Sequence, residues 1–207
     1  MKKILFLICL LPIVSFSQVT IDSLNARIYL KQVHEVGLNQ KELKSKAYEW
    51  VARSFNNSNY VTRINNESQI LAKGAFDVGA DFTNYGVTVY SPRKVDYTLD
   101  LQFKQGRYKI EIVDVTITAG GMEEPFVFYL ADFETYKGLQ RKLIAELDMP
   151  GTKATLRRLE NESKARKDYE SLRAYYDEIL PQIIETLESI DTSLLKYIKS
   201  DSGDNDW

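Results

Sequence analysis

The sequence predicts an α+β fold in two layers: a curved antiparallel sheet with an N-terminal amphipathic helix and a long C-terminal helix packed on one face. Residues 95–115 alternate apolar and polar side chains around one Gln-Gly turn, which is typical of a β-hairpin. Residues 39–56 and 166–200 instead repeat apolar side chains at the period of a helix. A hairpin between two such helices favours an antiparallel sheet that is covered on one face.

Residues 1–17, MKKILFLICLLPIVSFS, have the features of a secretory signal peptide. Two lysines precede an apolar run, and small residues precede Gln18, before which we expect cleavage. The run is shorter than the roughly 20 residues that span a bilayer, which argues against the alternative of a retained membrane anchor. Cys9 lies inside the run after bulky residues, so we expect no lipidation. We therefore predict an exported protein, periplasmic or extracellular, with no membrane span in its mature chain.

The scarcity of cysteine and histidine excludes several chemistries. Cys9 is the only cysteine, and its loss with the signal peptide would leave no disulfide, thiol nucleophile or cysteine metal ligand. His34 is the only histidine, which excludes zinc sites built on two histidines. We expect His34 to be partly exposed in a loosely packed lead-in at residues 18–38. The net charge of −2 offers no basic face for nucleic acid, and no motif indicates a metal or cofactor.

The first helix and the strands after it are indicated by capping and turn residues. Asn39 and Glu42 form a capping-box pattern, and the apolar stripe that follows is interpreted as core. Strands are predicted at residues 59–64 and 69–78, with Gly74 marking a bulge or a close helix contact. Residues 79–92 are interpreted as a polar connection that contains tyrosine and glycine, with a short apolar patch at residues 87–90.

The hairpin at residues 95–115 allows its register to be predicted. If Gln105 and Gly106 form a two-residue loop, three apolar pairs come into register. These pairs are Phe103 with Tyr108, Leu101 with Ile110, and Leu99 with Ile112. The alternation changes phase after Ile112, and a β-bulge near Val113–Asp114 would explain the change.

The second half of the chain is predicted to be mostly helical. Residues 126–130 are interpreted as a short strand or a strand-like cover, and a helix is expected at residues 139–147. Pro181 should kink the last helix or restart it. The predicted domain covers residues 39–200, with a core at 39–118, a variable part at 119–165, a closing helix at 166–200, and an acidic tail at 201–207.

The polar face of the hairpin is the candidate binding surface. Asp100 and Glu111 lie opposite each other, and such a pair, with Asp96 nearby, could act as an acid and a base or hold a divalent cation. A solvated charged face, balanced by neighbouring lysines and arginine, is the favoured interpretation. Two tyrosines expected in a loop are added as surface candidates. The predicted surface comprises Asp96, Asp100, Lys104, Arg107, Lys109, Glu111, Tyr85 and Tyr90.

Two segments, residues 46–76 and 95–115, together resemble a bacterial family of exported proteins, a domain of unknown function with a fold similar to the TATA-box-binding protein. The shared features are Trp50 in the first helix, a Lys-Gly-x-aromatic strand ending at Phe76, and the hairpin turn between Phe103 and Tyr108. Residues 120–170 depart from the shorter family pattern. The resemblance implies the two-layer fold, no known activity and no catalytic residue, and the fold alone implies no DNA binding.

Three functions are compatible with these observations. A non-enzymatic module that binds an envelope protein or ligand is favoured, because no catalytic constellation is present. A carrier of a small apolar ligand or lipid would need a cavity lined by Leu99, Leu101, Ile110 and Leu187. A hydrolase would need the carboxylates of the polar face in a cleft, with at least one shifted pKa.

Overall fold

The computed structural model describes residues 19–55, 62–84, 86–146 and 151–200. The predicted signal peptide and acidic tail lie outside these ranges. The elements in chain order are β1 Val19–Asp22, β2 Arg27–Glu35, α1 Gln40–Ser54, β3 Thr62–Asn66, β4 Gln69–Asn84, β5 Val87–Lys104, β6 Arg107–Ala119, β7 Met122–Glu124, α2 Val127–Leu130, α3 Phe133–Glu146, α4 Thr152–Glu160 and α5 Glu162–Lys199.

The strands form one seven-stranded antiparallel sheet in the order β1-β2-β6-β5-β4-β3, with β7 paired to β6. Side chains from one face of this sheet share a single apolar cluster with α1 and α5. Burial of that cluster removes a large apolar area from water, which is the main favourable term in folding. The predicted α+β class and the long C-terminal helix are confirmed.

Helix α1 begins as its capping residues predict. The Asn39 side chain accepts a hydrogen bond from the Glu42 backbone N–H, and the Glu42 carboxylate accepts one from the Asn39 N–H. Its apolar stripe is buried over the sheet, so the core interpretation of Trp50 is correct. The Trp50 indole N–H, which needs a partner when buried, donates to Ser193 Oγ of α5 at 3.1 Å.

The register predicted for the β5–β6 hairpin is confirmed at every pair from Phe103–Tyr108 to Leu99–Ile112. The register shifts by one residue between Thr98 and Asp96, opposite residues 113–116 of β6. Asp114 has a φ of +51°, which is the left-handed conformation found in bulges. The predicted bulge is therefore present.

The prediction of a polar connection at residues 79–92 is wrong. β4 and β5 continue as a regular ladder to the pair Asn84–Val87, so both strands are far longer than predicted. Gly74 lies in unbroken register and marks no bulge. It leaves room for the Tyr97 ring, since a Cβ at Gly74 would lie 2.2 Å from Tyr97 Cζ.

Four further segments differ from prediction. Residues of the lead-in form β1 and β2, and β2 pairs with β6 inside the sheet, so this segment is not loosely packed. The apolar run Val127–Leu130 is a helical turn and not a strand. Helix α3 begins at Phe133, several residues before the predicted start. Helix α5 continues through Pro181 without restarting.

Candidate functional site

The outer face of the sheet, opposite the helices, contains an open groove beside the β5–β6 turn. Its volume is about 330 Å³, and its lining includes Val33, Gln102, Lys104, Arg107 and Lys109. Strand alternation directs these side chains away from the core, and the pairings β2–β6 and β5–β6 bring them together. Three of the predicted surface residues therefore lie in one concave site.

The carboxylate of Glu111 is neutralised by two lysines next to the groove. Lys109 Nζ lies 2.7 Å and Lys31 Nζ 2.8 Å from its two oxygens. Hydrogen bonds from Lys109 and then Lys31 hold the pKa of Glu111 below its ordinary value. Glu111 is therefore ionised at neutral pH and unsuited to donate a proton.

The other two predicted carboxylates are also engaged. Asp100 is the register partner of Glu111, and its oxygens accept hydrogen bonds from the side-chain amides of Gln69 and Gln102, both at 2.9 Å. Asp96 lies 2.8 Å from Lys94 Nζ. Among the described residues, no group of three or more His, Cys, Asp or Glu side chains could hold a metal ion. The arrangement fits a solvated, charge-balanced face.

The two tyrosine candidates have different outcomes. Tyr90 is 66% exposed, but it lies in β5 and not in a loop, so the predicted location is wrong. Its ring covers Gly79 of the neighbouring strand. Tyr85 lies outside the described residues. The structure thus places Tyr90 far from the groove, toward the other end of β5.

The predicted carrier cavity is not found where it was expected. Leu99, Leu101, Ile110 and Leu187 all have 0% exposed surface. A water-sized void against any of these side chains would leave accessible area on it, so they are packed directly against protein atoms.

Within the described part of the chain, no helix is long and apolar enough to span a membrane.

Residues 29–118 match a family described as a domain of unknown function (DUF4468) with TBP-like fold. These 90 residues are similar to that family, and the match covers less than half of the 207-residue chain. The match begins within β2 and ends one residue before the end of β6, so it contains the groove and the hairpin. The resemblance seen in residues 46–76 and 95–115 is confirmed.

Two solved structures have a similar arrangement. A DUF4468 family protein from Bacteroides ovatus is 10% identical, with a TM-score of 0.50 over 86% of this chain and 90% of that one. A TBP-like protein from Parabacteroides distasonis is 11% identical, with a TM-score of 0.48 over 86% of this chain and 96% of that one. No curated protein matches the chain. At such low identity, the likeness of the first shows the fold alone.

A buried polar pair between β2 and α5 was missed by the sequence reasoning. His34 is 7% exposed, so the expectation of a partly exposed histidine is wrong. Its Nε2 lies 2.7 Å from Oδ1 of Asp191, a residue of α5 that is 1% exposed. Both groups are too deeply buried to meet a substrate. The pair links β2 to the closing helix, and its only sequence signal is a polar residue at a core-facing position of each element.

A second polar cluster joins β5 to β7, α2 and α5. Arg93 Nε donates to Glu124 Oε2 at 2.7 Å, and the Tyr129 and Tyr176 hydroxyls donate to the same carboxylate at 2.8 and 2.7 Å. Burial is the main cause that raises the pKa of both tyrosines, and the Glu124 charge adds to it. The guanidinium and both hydroxyls are hydrogen-bonded to the Glu124 carboxylate, so the cluster stabilises the packing of β7, α2 and α5. Its polar groups are engaged with one another and not directed toward a ligand.

Proposed function

We propose that the protein is exported and acts as a non-enzymatic binding module, with the outer-face groove as its contact for an acidic segment of an envelope protein. The signal-peptide pattern of residues 1–17 supports export. The carboxylates of the polar face support a role without catalysis, since each is held by a lysine or by side-chain amides.

One observation carries the binding proposal: the groove combines three cationic side chains with an apolar one. Val33 is 48% exposed on the outer face of β2, beyond the residues of that strand that pair with β1. Lys104 has no ion-pair partner among the described residues, and Arg107 lies 3.5 Å from a glutamate oxygen of β2. An apolar centre with a polar rim is the usual composition of a protein interface.

The charges of the groove indicate the chemistry of the partner. Arginine presents a planar fork that matches a carboxylate, and lysine adds a flexible positive charge. Lys109 is held close by Glu111, at 2.7 Å, whereas Arg107 has only the longer contact of 3.5 Å with exposed Glu35. Lys104 and Arg107 are therefore the cations more available to a ligand. An extended acidic peptide could place one carboxylate on each and cover Val33 between them.

The proposal is tested by site-specific photo-crosslinking in cells that express the protein with its own N-terminal segment. A crosslinking amino acid replaces Val33 in one variant and Ile64, which is 39% exposed in β3, in the control. We expect a discrete adduct from position 33 only, at least tenfold weaker when Lys104→Glu is added. Equal adducts at both positions, or no effect of Lys104→Glu, would refute the groove as the binding site.

Export itself has a separate readout. The purified protein is expected to begin at Gln18 and to be recovered from the periplasmic or extracellular fraction. A cytoplasmic protein that retains Met1 would refute export and leave the groove experiment unaffected.

A further inference from the structure

The far end of the β4–β5 ribbon has one open edge. β6 pairs with β5 only from Lys94 onward, so residues 87–93 of β5 pair with β4 on one side and with no other strand in the described part of the chain. Val87, Val89 and Tyr90 in this segment are 62%, 52% and 66% exposed. They are the largest concentration of exposed apolar side chains among the described residues.

The contacts of Gly79 show which backbone groups face this edge. Both its N–H and its C=O bind the Gln182 side chain of α5, at 3.3 and 3.1 Å, so they point away from β5. Gly79 pairs with Pro92, and backbone groups alternate in direction along antiparallel strands. Tyr90 and Thr88 lie two and four residues before Pro92 and therefore have the same orientation. Their N–H and C=O groups point away from β4, toward the open edge.

The edges formed by β1, β3 and the far end of β4 carry charges or are covered by a helix. Helix α5 covers the β4 edge, where Gln182 takes the place of a neighbouring strand and Ser171 donates to the Thr83 carbonyl. The outermost strands β1 and β3 each contain a charged residue, Asp22 and Arg63. Charges and coverage are the usual means of preventing edge-to-edge pairing. Residues 87–92, VTVYSP, contain no charge.

We propose that this edge pairs antiparallel with the same edge of a second copy of the chain. In the proposed register, Val89 lies opposite Val89 of the partner copy. Thr88 of each copy then exchanges backbone hydrogen bonds with Tyr90 of the other copy, so the arrangement occurs twice across the two-fold axis. A register centred on Tyr90 would place Thr88 opposite Pro92, which has no N–H to donate. The uncharged segment is self-complementary, as an isologous interface requires. The paired area is small, so the dimer forms reversibly with rising concentration.

Cysteine crosslinking tests the register. Cys9 is replaced by Ser, and Val89→Cys or Val87→Cys provides the only thiol. Opposed Val89 residues would have Cα atoms about 4.5 Å apart, within disulfide range. Opposed Val87 residues would be about 14 Å apart, because each faces Ser91 of the other copy. We expect at least tenfold more disulfide dimer from Val89→Cys. Val87 is the more exposed of the two residues, so random collisions would not favour position 89. Equal yields of disulfide dimer from the two variants would overturn the proposal.

Sedimentation equilibrium tests the association without a crosslink. The unsubstituted protein should approach twice its monomer mass as its concentration rises, and Val89→Lys should remain monomeric. Ile64→Lys, on the β3 edge, is the matched control and should behave like the unsubstituted protein. Circular dichroism checks that all three proteins are folded. A protein that is monomeric at every concentration, or one in which Ile64→Lys alone prevents association, would contradict pairing through β5.

Discussion

Replacing His34 by phenylalanine is expected to destabilise the protein by about 3 kcal/mol, because it leaves the Asp191 carboxylate buried without its partner. The two side chains are 7% and 1% exposed, so water cannot replace the lost 2.7 Å hydrogen bond. Domains of this size are stable by only about 5–15 kcal/mol, so the loss is a large share of the total. Phenylalanine itself can be accommodated beside the Tyr108 ring, whose centroid lies 5.0 Å from that of His34.

The measurement is urea unfolding at neutral pH, followed by circular dichroism. The midpoint should fall for His34→Phe while the slope stays constant, which identifies a loss of stability without a change of unfolded state. Adding Asp191→Leu should recover much of the loss, because apolar residues can replace a buried pair at little cost. A single variant that loses less than about 1 kcal/mol, or a double variant that loses the sum of both single effects, would refute the reasoning.

Three other predictions follow from side-chain contacts. Gly74→Ala should cost about 1–3 kcal/mol in thermal or urea unfolding, since the Tyr97 ring it would meet is only 6% exposed, whereas Gly79→Ala should be nearly neutral because the Tyr90 ring can swing into solvent. Burial raises the pKa of Tyr97 from 10.0 to about 12. The contribution of neutral Tyr97 to stability is therefore complete below about pH 10 and is lost as the pH rises toward 12. Tyr97→Phe should flatten the alkaline fall in the free energy of unfolding, and an unchanged pH profile would contradict this prediction. The pKa of Glu111 is lowered from 4.5, so the contribution of its carboxylate to stability is present above pH 4.5 and is lost on further acidification. Glu111→Gln should flatten the acid fall in the free energy of unfolding, and a steeper fall would contradict this prediction.

Local signals were sufficient where the partner residues lie close in the chain. The β5–β6 register follows from a two-residue loop and three apolar pairs, all within a short segment. The capping box of α1 is equally local, because Asn39 and Glu42 satisfy each other. The same hairpin places Lys104, Arg107 and Lys109 on one face, so the cationic part of the groove was predictable. The position of Val33 in the groove was not predictable from local signals, because it depends on the pairing of β2 with the distant strand β6.

Elsewhere the decisive contacts are distant. Residues 79–92 form strand although they contain Pro92, because its nitrogen faces the open edge, where no ladder hydrogen bond is lost. His34 interrupts the apolar alternation of β2, and its partner Asp191 lies 157 residues away in sequence. The run at Val127–Leu130 is too short for its period to distinguish a strand from a helical turn. In each case, tertiary context overrides the local pattern.

The position of α5 at the end of the chain has a consequence for the timing of folding. The helix supplies Leu187 to the core, Asp191 to His34 and Gln182 to the edge of β4, so the sheet remains uncovered until residues 162–199 have been synthesised. A nascent chain that ends at β7 presents a bare apolar face, which is exposed to aggregation and to chaperones. Stable folding is therefore expected only once residues 162–199 are available to pack on the sheet. Truncation before α5 should yield an insoluble or rapidly degraded product.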